Sequence, residues 1–174
     1  MNKKVTLLAI GVAILVLAIG YTYLGGLNKV EITLESVSDY NLVGTHYQGR
    51  EKSEAIEKAF ITAREYLENG RLNGVLTLVH YNDSTLAENR VKLFVGIKLN
   101  EGTSDLPEGY KRLTIPASNA VRATIEAHNV VMPTPENIEN SMIEKAAQLN
   151  LRLQSFTIEQ YLSERNLLIE IPVK

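Results

Sequence analysis

The spacing of apolar positions divides the chain into one long apolar run and a domain that states the same plan twice. Residues 5–27 are apolar almost throughout, broken only by Thr6, Thr22 and glycines, and about 20 such residues suffice for a helix to cross a bilayer. From Val30 the period changes. Val30, Ile32 and Leu34 alternate with Glu31, Thr33 and Glu35, and residues 42–47 resume the pattern, which predicts one long bent strand. Ser53 can cap the helix that follows, Ala55, Ile56, Ala59, Phe60, Ala63 and Leu67 form its apolar stripe, and Gly70 can end it. A ribbon over 75–81, a polar turn through Asn82, Asp83 and Ser84, and a strand over 91–99 complete the first unit.

After a polar, glycine-containing seam at 100–109 the order returns. Residues 110–127 are extended with a break at Pro116. Thr134 caps a helix with Pro135 in its first turn and Ile138, Met142, Ala146 and Leu149 as its stripe, and strands follow over 156–162 and 167–173. Thr77 matches Thr157 and Tyr81 matches Tyr161 at an offset of 80, while Arg71-Leu72 matches Arg152-Leu153 at 81 and Ile56 matches Ile138 at 82. Matches in that order along both halves indicate a duplication. The expected fold is α+β: duplicated β-α-β-β units forming one antiparallel sheet with two helices on one face, preceded by a single transmembrane helix. The expected domains are an anchor and linker at 1–29 and a ligand-binding domain at 30–174, with halves at about 30–100 and 110–174.

The segment FTIEQYL at 156–162 carries the most chemistry, because it sets one carboxylate in a strand. Period-two alternation, combined with the offset of 80, expects Thr77, Val79, Tyr81, Thr157, Glu159 and Tyr161 to share the row facing away from the helices. Aromatic rings, hydroxyls and one acid on a shared surface fit a ligand groove. The candidate ligand-binding residues are therefore Glu159, Tyr161, Tyr81, Thr157 and Val79. The plainer alternative is that Glu159 faces solvent or pairs with Arg122 or Arg165, and that the tyrosines are ordinary strand aromatics. Glu126 and Glu170 read as solvated strand charges, and His80 as an inward residue beside Leu76 and Leu78.

Composition narrows the function further. The formal charge of −2 leaves no basic footprint for nucleic acid. The chain has no cysteine, and His46, His80 and His128 lack metal-ligand spacing, so no metal, cofactor or catalytic thiol is expected. Asn2, Lys3 and Lys4 precede the apolar run and Tyr21 and Tyr23 lie near its far end, which expects a retained single-pass anchor with an extracytoplasmic domain. A cleaved leader ending near Ala18-Ile19-Gly20 is the alternative.

Several motifs carry a resemblance. HYQG at 46–49 followed by Ala55-Ile56 and Ala59-Phe60, VHYND at 79–83, LTIPASNAV at 113–121, FTIEQYL, and the terminal IEIPVK resemble the GyrI-like small-molecule-binding domain, the effector-binding part of multidrug-responsive transcription activators. Ser84 stands where that family usually has proline, and Glu170 where it has tyrosine. The resemblance implies a pocket in which Glu159, with Tyr161 and Tyr81, meets an amphipathic or cationic small molecule without turning it over. Two alternatives stand beside it. One is a hydrolase of the same type using the glutamate on a small electrophile, against which the absence of tryptophan counts; the other is a membrane-tethered adaptor for an unidentified protein partner.

Overall fold

The computed structural model describes residues 3–100, 105–128 and 130–174. A first helix, α1 (Lys3–Tyr23), precedes two units of the same order. The first is β1 (Glu31–Ser36), β2 (Tyr40–Arg50), α2 (Glu54–Glu68), β3 (Gly74–Tyr81) and β4 (Arg90–Leu99). The second is β5 (Lys111–Ile115), β6 (Asn119–Glu126), α3 (Pro135–Gln148), β7 (Phe156–Tyr161) and β8 (Asn166–Pro172). Of the seam between them, residues 101–104 lie outside the described residues.

Local chemistry sets the helix ends. The Ser53 hydroxyl accepts from the Ala55 amide at 3.3 Å and the Thr134 hydroxyl from the Asn137 amide at 3.4 Å, and such caps each contribute about 1 kcal/mol. Asn69 caps the C-terminus of α2 and Gly70 follows at φ +71°, a conformation that costs a glycine little. Leu149, expected in the buried stripe of α3, is instead its cap and is exposed.

All eight strands form one antiparallel sheet in the order β1-β6-β8-β7-β3-β4-β2-β5. The halves meet at β3 and β7, and they exchange edges: β1 pairs with β6 of the second unit, and β5 with β2 of the first. These two edge ladders are one register. Glu31 to Ser36 run against Thr124 to Asn119, and Tyr40 to Gly44 run against Ile115 to Lys111. Val37 donates to the Ser118 carbonyl at 2.9 Å and the Ala117 amide to Asp39 Oδ1 at 3.1 Å, bridging the gap between them. Because β1 runs on into β2 and β5 into β6, the sheet curls until its ends join.

This closure gives the sheet an inside and an outside, both buried. Helix α2 packs outside on Val43, Leu76 and Ile97, and α3 on Val121, Ile125, Leu167 and Ile169. Tyr40, Leu42, Val79, Phe94 and Ile158 fill the inside. Where β2 and β4 cross most closely, Gly44 pairs with Gly96, and a Cβ on Gly96 would strike the Val43 carbonyl of the opposing backbone. Backbone cannot move aside as a side-chain tip can, so Gly96→Ala is expected to cost about 2–3 kcal/mol, read as a lowered urea midpoint at unchanged slope.

The N-terminal run departs from expectation. Among the described residues no helix is long and apolar enough to cross a membrane, which overturns the expected single-pass anchor, its membrane location and the contact of residues 5–27 with lipid. Asn2, part of the basic flank, lies outside the described residues. The physical difference is at the far end: the helix stops at Tyr23, and Leu24 to Leu27 turn back onto the domain instead of prolonging the span. Gly25 makes that turn at φ +84°, and Leu24 O accepts from the His128 amide at 2.8 Å.

Candidate functional site

The pairing of β3 with β7 decides which candidates meet. Leu76 lies opposite Tyr161, Leu78 opposite Glu159 and His80 opposite Thr157, and directly opposed residues of antiparallel strands project to the same face. Glu159, Tyr161 and Thr157 therefore lie on the outer, helix-bearing face. Thr77, Val79 and Tyr81 project to the other face, opposite Gln160, Ile158 and Phe156. The expected common row does not form. Its flaw is parity: equivalent outer positions are even-numbered in β3 and odd-numbered in β7, so only an odd offset preserves the face. The Arg71-Leu72 and Arg152-Leu153 match at 81 satisfies this, and the tyrosine and threonine matches at 80 do not.

Val79 and Thr77 are buried inside the curled sheet at 0% and 1% exposure, away from the outer face that carries Glu159. Tyr81 emerges at the end of β3, where Lys92 lies 5.4 Å from its ring centroid, and burial raises its hydroxyl pKa. With His80, Asn82 and Asp83 it lines a recess of about 480 Å³ at the β3–β4 turn.

On the outer face an open groove of about 570 Å³ is lined by Arg64, Leu67 and Glu68 of α2, Leu76 of β3, Tyr161 of β7, and His128, Ser163 and Glu164 from the loops. Phe60 of α2 meets the Tyr161 ring edge to face, with centroids 5.7 Å apart. Glu159 does not itself line the groove. Tyr161, which does, donates its hydroxyl to Glu159 Oε2 at 2.6 Å.

Burial is the largest influence on Glu159 and raises its pKa; the Tyr161 hydrogen bond and the charge of His80 oppose it without cancelling it. The same environment holds the Tyr161 hydroxyl far above the ordinary phenol range, through burial first and then the neighbouring carboxylate. Neither Arg122 nor Arg165 reaches Glu159. Arg122 pairs with Glu170 on the other face, and Arg165 stacks over the Tyr23 ring at 4.9 Å. Among the described residues no lysine or arginine forms a salt bridge with Glu159.

Sequence reasoning missed a second polar cluster. Glu170 is completely buried inside the sheet and accepts from Arg122 Nε at 2.7 Å and Gln160 Nε2 at 2.5 Å. Lys98 Nζ donates to Gln160 Oε1 at 3.0 Å. The Tyr40 hydroxyl is buried beside Glu170, and burial, then the Glu170 carboxylate, raises its pKa well beyond the phenol range. Glu170 was expected in solvent because Arg122 and Glu170 sit in rows that alternate with apolar residues. Only closure of the sheet buries those rows.

No protein-family model matches the sequence, and no curated protein matches it. Solved structures do match in fold. EcmrR, in a structure of its DNA complex, superposes with a TM-score of 0.61 at 14% identity, over 98% of this chain and 69% of that one. The EcmrR C-terminal domain alone gives 0.60 at 14% identity over 83% of this chain and 98% of its own. The chain shares the fold of the EcmrR C-terminal domain. A hydrolase from Listeria innocua gives 0.57 at 11% identity, covering 84% of this chain and 93% of that one. SAV2435 bound to tetraphenylphosphonium gives 0.50 at 14% identity, covering 83% and 94%.

Proposed function

We propose that the groove between α2 and the loops after β6 and β7 binds an amphipathic organic cation, with Glu159 as its counterion and Tyr161 and Thr157 beside it, and does not turn it over. The observation that carries this reading is the placement of Glu159: raised in pKa by burial and held by the hydroxyl of Tyr161, whose side chain lines the groove. A cation arriving there replaces lost hydration with direct attraction in a medium of low dielectric. SAV2435 gives a chemically defined ligand with which to begin.

Calorimetric titration of the full chain with tetraphenylphosphonium is expected to give saturable one-to-one binding. Tyr161→Phe removes the hydroxyl cap and one groove-lining polar atom, and is expected to change the affinity several-fold while leaving the stoichiometry at one. Heats indistinguishable from dilution across lipophilic cations of graded size would count against the assignment.

A second reading, hydrolysis of a small electrophile, draws support from one feature: Glu159 is a carboxyl raised in pKa by burial, with His80 near enough to act on it electrostatically. The Listeria innocua neighbour described as a hydrolase is consistent with it. Product formation that disappears in Glu159→Ala would favour this reading over simple binding.

A further inference from the structure

The segments that wall the groove on one side hold α1 on the other. His128, Ser163 and Glu164 line the groove. The His128 amide donates to Leu24 O at 2.8 Å, at the end of α1, and Asn28 Nδ2 donates to Glu126 O at 2.6 Å. Gly25 turns the chain at φ +84° so close to this wall that a Cβ would lie 2.7 Å from Glu126 O. The two wall segments are tied together, since the Ala127 amide donates to Arg165 O at 2.9 Å and the Ser163 hydroxyl accepts from the Arg165 and Asn166 amides. Arg165 reaches out of this turn to the Tyr23 ring. His128 thus lines the groove and, through its backbone amide, holds the residue that follows α1.

We propose that occupancy of the groove and docking of α1 are thermodynamically coupled through residues 126–128 and 163–166, so that a bound ligand strengthens the attachment of α1 to the domain. The inference rests on the groove being a ligand site. Its physical basis is shared ordering: the ligand and α1 each need this wall in one conformation, so whichever binds first lowers the entropic cost for the other. Linkage makes the effect reciprocal. A loosened α1 must weaken the ligand by the same factor by which the ligand tightens α1.

The chain has no tryptophan, so Tyr23→Trp places a single indole beside Arg165. Titrated with tetraphenylphosphonium, the full chain carrying this reporter is expected to shift in emission and saturate at the calorimetric Kd. Gly25→Ala, strained at its positive φ and pressed on Glu126, and Asn28→Ala, which deletes the bond to Glu126, are each expected to weaken the ligand about 5-fold, although neither residue lines the groove. A wild-type chain that binds while both variants keep its Kd within twofold and the indole emission stays flat would overturn the coupling. A wild-type chain that binds no such cation would remove the groove assignment instead, and the coupling with it.

Discussion

Glu170→Ala is expected to lower the unfolding free energy by about 2–3 kcal/mol, less than the roughly 3–5 kcal/mol lost from a fully buried ion pair because the Arg122 side chain remains 27% exposed. The carboxylate is 0% exposed, and both its oxygens are engaged, one by the Arg122 guanidinium and the other by the Gln160 amide. Without it, Arg122 retains only Glu35, 3.9 Å away and 39% exposed, where solvent screens the attraction. Gln160 loses its acceptor inside a sealed interior and strands a donor there. For a domain whose whole stability is of order 5–15 kcal/mol, such a loss is a large share of the total. Urea denaturation followed by circular dichroism would read it as a fall in midpoint at constant slope. Glu170→Met with Arg122→Met is expected to recover more than half of the loss, because the cost lies in the orphaned charge and not in missing contacts. A single-mutant loss under about 1 kcal/mol would mean that water enters the curled sheet and solvates Arg122.

That interior explains what the sequence could and could not disclose. Elements were legible because their signals are local: Ser53 and Thr134 cap the helices as their hydroxyls allow, Pro135 opens α3, and Pro116 falls between β5 and β6. The duplication was legible too, since Arg71-Leu72 and Arg152-Leu153 precede β3 and β7 alike. The face was not. Alternation separates two rows of a strand, and in an open sheet the polar row is the wet one. Here β7 is covered outside by helices and inside by the closed sheet, so Thr157, Ile158 and Gln160 are all buried. Glu159 stands out in such a strand as an acid, yet nothing local tells it from Glu170, which serves packing on the inside while Glu159 borders an opening. The apolar run at 5–27 misled for a related reason. Hydropathy summed over those residues cannot register that the chain leaves the helix at Tyr23 and docks Leu24 on His128, a contact with a partner more than 100 residues away.

The clearest functional signature expected is a binding constant whose pH dependence above the ordinary glutamate range comes from Glu159, the groove's other acids, Glu68 and Glu164, lying at its edge. Burial raises its folded-state pKa above the unfolded glutamate value, so between those two values the folded, unliganded chain holds a proton that the unfolded chain has released. Protein stability must therefore fall as pH rises through that window, and Glu159→Gln should flatten this part of the profile. A cation in the groove has the opposite preference, since it attracts only the ionised carboxylate. Its affinity is expected to strengthen as pH rises through the same window, by up to about tenfold per pH unit for one linked proton, and to level off above the raised value. Calorimetry in two buffers of different ionisation enthalpy would detect the released proton directly. Glu159→Gln keeps the shape of the side chain and its capacity to accept from Tyr161, so loss of charge is the main change. It should weaken tetraphenylphosphonium by about 10- to 100-fold at pH values above the window, or about 1.4–2.8 kcal/mol, and flatten the pH dependence within that window. Tetraphenylphosphonium carries no hydrogen-bond donor, which makes it a test of charge alone. If the variant binds as tightly as the native chain and still takes up or releases a proton, Glu159 is not the counterion and the assignment fails.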